Sequence, residues 1–75
     1  MIITSNETSV KFEGADKTIL VPKSSIILLY DPVTQSIDVN LKDNSTIINL
    51  NYKIVESPSV NSSEELFNEL LKLIN

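Results

Sequence analysis

The stretch Thr46–Val55, TIINLNYKIV, alternates Ile48, Leu50, Tyr52 and Ile54 with Ile47, Asn49, Asn51 and Lys53. A β-strand sends successive side chains to opposite faces, so this period of two gives one apolar row and, beyond Ile47, one solvated row. Ten such residues span roughly 33 Å, long enough to act as the spine against which shorter strands pair. The spacing predicts that Ile48, Leu50, Tyr52 and Ile54 are more buried than Asn49, Asn51 and Lys53.

Working outward from that spine, Ser36–Lys42 alternates in the same way, with Ile37, Val39 and Leu41 against Asp38, Asn40 and Lys42. The turn residues Asp43-Asn44-Ser45 between the two stretches predict an antiparallel hairpin. Upstream, Ile26–Tyr30 is apolar on both faces and is joined to the next strand by Asp31-Pro32-Val33-Thr34-Gln35, where Pro presets φ for a turn. Earlier still, Val10 and Phe12 alternate with Ser9 and Lys11, and Thr18–Val21 returns until Pro22 removes a backbone donor. Between them lies Gly14, the only glycine, read as a hairpin position with φ above zero. Met1–Thr4 is a short edge strand or an arm, followed by a turn at Ser5-Asn6-Glu7.

Pro58 stops the spine, and residues 57–61 cross to a helix over 62–75. Ser62 is the expected N-cap, with Glu65 completing an S-x-x-E capping box and Glu64 and Glu65 at the positive end of the helix dipole. Leu66, Phe67, Leu70, Leu71, Leu73 and Ile74 recur at three- and four-residue spacings and form one wide apolar face, which stabilises so short a helix only by lying on the sheet. The fold class is therefore α+β. Residues 1–75 form a single domain, an antiparallel β-meander of about five strands over 1–56, open or curled into a small barrel, with one C-terminal α-helix packed on it.

Seventy-five residues build only a marginal core. There is no Cys, which excludes disulfides, thiolate nucleophiles and thiolate metal sites, and favours synthesis inside a cell. A small core with neither staple gains stability by association, with copies of itself or with a larger partner. The net charge is −4, and the six lysines (Lys11, Lys17, Lys23, Lys42, Lys53 and Lys72) are dispersed, so no basic stripe exists for a phosphate backbone. The apolar run Ile26–Tyr30 is too short to cross a bilayer, and MIITSNE lacks the features of a signal peptide.

Chemistry is scarce. His is absent, so the usual general base near neutral pH is missing. The ten carboxylates fall in turns or on solvent faces, Asp43-Asn44-Ser45 lacks the acidic set of a calcium loop, and the ten serines have no base partner. No catalytic residue, metal ligand or cofactor-binding residue is assigned, and no enzymatic activity, cofactor or small-molecule substrate is expected. Tyr30 and Tyr52 are each either an edge-of-core ring or an interface anchor. The positive clue is a surplus of apolar surface. If one face of the sheet meets the helix, then Ile27 and Leu29, or else Ile26 and Leu28, point the other way with Leu20 and Ile47. The candidate interface is Leu20, Ile27, Leu29, Tyr30 and Ile47.

Val21-Pro22-Lys23-Ser24-Ser25-Ile26, the run Tyr52–Val60 and Ser63-Glu64-Glu65-Leu66 with its leucine-rich helix resemble small virion-associated proteins of tailed bacteriophages, the crAss-like phages included. The resemblance covers about half of the chain and carries no catalytic residue. It implies a non-enzymatic structural protein, such as a capsid auxiliary protein, made in the host cytoplasm and located in the virion. Its implied partners are proteins, through self-association or binding to a major capsid or other virion protein, with no nucleic acid or membrane. The alternative is a small acidic regulator or inhibitor that binds a host protein, although the acids are interleaved with lysines rather than gathered into a ridge.

Overall fold

In the computed structural model, which describes residues 1–75, the chain is α+β, with six antiparallel strands and one helix. Strands β1 (Ile2–Ser5), β2 (Ser9–Glu13) and β3 (Thr18–Pro22) form one three-stranded sheet, and β4 (Ile26–Asp31), β5 (Ser36–Leu41) and β6 (Thr46–Leu50) form a second. Helix α1 spans Ser63–Ile74. The expected continuous meander of about five strands is thus two meanders of three, and the sheets do not close into a barrel. The break falls where Pro22, which has no N–H to donate, leads into a 3-10 turn over Lys23–Ser25. That turn redirects the chain, and β4 starts a new ladder instead of extending the first.

Registers fix which side chains meet. Phe12 pairs with Ile3 and with Ile19, and Val10 with Val21. In the second sheet Ile37 pairs with Tyr30 and Leu50, and Val39 with Leu28 and Ile48. The inward residues Ile3, Val10, Phe12 and Val21 of the first sheet and Ile26, Ile37, Val39 and Leu50 of the second join Val55, Leu66 and Leu70 in one core. The outer edge of β1 is occupied too. Ile3 N–H donates to the Ser57 carbonyl at 2.7 Å and Glu56 N–H donates to the Met1 carbonyl at 2.8 Å, a short parallel seam.

The long strand expected over Thr46–Val55 ends at Leu50. Asn51 Oδ1 accepts the N–H of Lys53 at 3.0 Å, and the chain winds into a 3-10 turn over Tyr52–Ile54. An Asn side chain offers backbone donors an alternative to the ladder, and here that alternative prevails. The alternation is lost with it: Ile54 is 50 % exposed, Val55 becomes a core residue and Asn51 is half-buried like Ile48 and Tyr52, while Leu50 is fully buried and Asn49 and Lys53 are exposed as expected.

Gly14 does not take a positive φ. The left-handed positions are Gln35, at 59°, and Asn44, at 70°. Gly14 N–H donates to the Lys17 carbonyl at 2.9 Å and closes the β2–β3 turn in ordinary backbone geometry. Asn tolerates the left-handed region because its short polar side chain bonds locally.

The helix start is as expected in one half of its capping box. Ser62 Oγ accepts Glu65 N–H at 3.1 Å, but Glu65 Oε2 accepts the N–H of Asn61, at 3.4 Å, and not that of Ser62. Ser63, one residue on, is fully buried. Its hydroxyl donates to the Gln35 carbonyl at 2.6 Å and accepts Tyr52 N–H at 3.4 Å, so a single side chain ties the β4–β5 turn, the 3-10 turn and the helix together.

Candidate interaction surface

The five candidate interface residues do not form one patch. Leu20, on β3 opposite Lys11, turns away from the core and is 62 % exposed. Leu29, opposite Asp38 on β5, is 50 % exposed, and Ile27 beside it, opposite Asn40, is half-buried. Of the two arrangements open for β4, the structure takes the one in which Ile27 and Leu29 face outward while Ile26, Leu28 and Tyr30 face the core. Tyr30 is engaged inside the chain. Its ring stacks on Phe67 of α1 with centroids 5.6 Å apart and planes 24° apart, which makes it a core-edge aromatic. Ile47 also packs against the core. It is the extra β6 residue where the β5–β6 register shifts, since Val39 pairs with Ile48 and Asn40 with Thr46.

The outer face of the second sheet therefore carries Ile27 and Leu29 next to a polar strip. Asn49 Nδ2 donates to Asp38 Oδ1 at 2.6 Å. Asn40 is buried in this strip and its Oδ1 has no hydrogen-bond partner. Sequence pattern placed Asn40 in solvent. Its burial follows from a central strand position flanked by Ile27 and Thr46, a tertiary arrangement that the alternation does not encode.

Three clefts indent the surface. One of about 260 Å³ is lined by Phe12, Ile19, Ile47 and Ile48 together with the charged residues Asp16 and Lys17. A second, of about 320 Å³, has Glu13 and Glu56 in its lining, but both are exposed, so water solvates them and no buried group positions them for proton transfer. The third, of about 180 Å³, is lined by Leu20 together with the polar residues Thr4, Ser5, Asn6, Ser9 and Lys11. No three acidic side chains converge as a metal site would require. The Asp43 carboxyl is held below its ordinary pKa by the Ser45 hydroxyl and then by the Ser45 N–H, both of which donate to it. This is turn chemistry on a fully exposed group. The only ion pair, Lys72 to Glu69 at 3.2 Å, lies exposed along α1. No helix is long and apolar enough to cross a membrane. Compared with protein-family models, curated proteins and solved structures, the chain matches none.

Proposed function

We propose that this chain is a non-enzymatic structural protein that works by contact, a virion component of a tailed phage such as a capsid auxiliary protein. The observation that carries the contact reading is Leu29, half exposed beside Ile27 on the outward face of an edge strand. An exposed apolar pair on a sheet face is what a partner covers, and burial of both side chains gives a small but specific anchor. The phage assignment rests on the sequence resemblance.

The test is Leu29→Lys. It places a charge where a partner would desolvate it, at little cost to a monomer in which the site is half in water. The variant is expected to keep the wild-type circular dichroism spectrum and to be lost from purified particles into which the wild type is incorporated. Equal incorporation of both forms would remove Leu29 from any interface. Absence of the wild type from particles, with capture of a host protein instead, would favour the regulator.

A further inference from the structure

The outward face of the first sheet carries a cation that no acid of the chain answers. Lys11 sits on the central strand β2, with Thr4 of β1 directly opposite on one side and Leu20 of β3 on the other. It is half-buried, and it makes no ion pair. The acids nearest to it in the chain, Glu7 and Glu13, do not line the 180 Å³ cleft to which Lys11 belongs. An ammonium partly walled by protein attracts an anion more strongly than one in open water, because less solvent screens it.

The rest of this cleft is made of donors. Asn6 Oδ1 accepts four hydrogen bonds, from Thr8 N–H at 2.9 Å, Thr8 Oγ1 at 3.3 Å, Ser9 N–H at 2.8 Å and Ser9 Oγ at 3.0 Å. That network identifies the amide oxygen, saturates it, and leaves Nδ2 as a fixed donor with no acceptor in the chain. The hydroxyls of Thr4 and Ser5 also line the cleft, and each can turn its proton toward a ligand. No carboxylate is present to accept from any of these groups. A metal cation therefore finds no ligand set here, and a sugar finds neither a strong acceptor nor an aromatic ring for its face. An oxyanion finds an ammonium, an amide and two hydroxyls. Its charge follows from the single cation in the cleft and the net charge of −4 on the whole chain, which match a monoanion and leave a dianion such as phosphate unbalanced. Leu20, exposed, is the one apolar wall, against which a short aliphatic stem can lie.

We propose that this cleft binds a carboxylate carried on a short aliphatic stem, with Lys11 and the Asn6 amide on its oxygens, the Thr4 and Ser5 hydroxyls beside them and Leu20 along the stem. A small free acid and an acidic side chain of a protein both offer this group, and the chemistry that recognises it is the same. The row Thr4, Lys11 and Leu20 lies on the first sheet and the Leu29 face on the second, so the inference goes beyond the contact reading and does not depend on it.

Amide chemical shifts of the full chain, followed by NMR during titration, test it. Butyrate is expected to move the amides of Thr4, Asn6, Lys11 and Leu20 along saturable curves. Butyramide, of the same shape without the charge, should bind at least roughly tenfold more weakly. Lys11→Gln should weaken butyrate by at least roughly tenfold, while Lys11→Arg, which keeps the charge, retains most of the binding. Leu20→Ser, at an exposed position, should bring butyrate down to the affinity of formate, which has no stem. Glutamate blocked at both its amino and α-carboxyl groups separates the two sources: tighter binding than butyrate assigns a protein side chain, and weaker binding assigns a free acid. Shifts that do not saturate or that scatter over the surface overturn the site. Equal binding of butyrate and butyramide does so too, and that comparison uses the unaltered chain, so it decides even where Lys11→Gln fails to fold. Inorganic phosphate competing more strongly than butyrate would overturn the choice of a carboxylate. None of these outcomes bears on incorporation into particles through Leu29.

Discussion

Ser62 and Ser63 stand side by side at the start of α1 and hold it in different ways. Ser62 Oγ accepts Glu65 N–H within the first turn, a cap whose loss costs about 1 kcal/mol. The buried Ser63 hydroxyl instead donates to the carbonyl of Gln35 at 2.6 Å and accepts Tyr52 N–H at 3.4 Å, and its removal breaks both of these part-buried bonds, at about 1 to 3 kcal/mol together. Urea denaturation of Ser62→Ala and Ser63→Ala is expected to show the larger loss at Ser63. Equal losses would mean that Asn51 Nδ2, which also donates to Gln35 O at 3.2 Å, satisfies that carbonyl alone. The capping serine was legible because S-x-x-E is a local spacing. Its neighbour's role was not, because its partner lies 28 residues away and is brought close only by the packed fold. Asn51 eluded the period-of-two reading for a related reason. Alternation scores the side chain's face and ignores an amide that bonds the backbone two residues on.

At the scale of elements, α1 is the best-read part of the chain, since cap, length and apolar face are all encoded within a few turns. Leu66 and Leu70 are its fully buried apolar residues, and Phe67 adds the stack on Tyr30. Leu70→Ala removes a side chain that contacts the shared core, and the transfer and cavity terms together give about 2 to 5 kcal/mol. Chemical denaturation should show a midpoint lowered by that loss divided by the slope, with the slope little changed; an unmoved midpoint would mean that the helix is not docked. The strands were legible as hairpins, because turn residues and alternation are both local. Their grouping into two sheets was not, since it depends on how Pro22 and the Lys23–Ser25 turn redirect the chain in space. That grouping also divided the candidate interface. Two-sided apolarity marked β4 correctly as a strand with a surplus, but only the β4–β5 register decided that Leu29 and Ile27 face outward, and only the position of α1 drew Tyr30 inward.

The whole molecule measures 27 × 25 × 23 Å, so its surface offers few places to enclose a ligand and many to touch a partner. Every ladder joins strands adjacent in the chain, with one exception, the seam at which Met1 and Ile3 meet Glu56 and Ser57. Hairpins close short loops cheaply, whereas that seam closes a loop made of most of the chain. Local pairing favours rapid folding, and the two meanders can form before the seam does. Native-state hydrogen exchange is expected to show the Ile3 and Glu56 amides opening at lower free energy than those of Phe12 and Val39; seam amides as slow as the core would reverse that order. The polypeptide would then be fastened last where its first strand meets the segment ahead of the helix, and stretching or mild heating would open it there first.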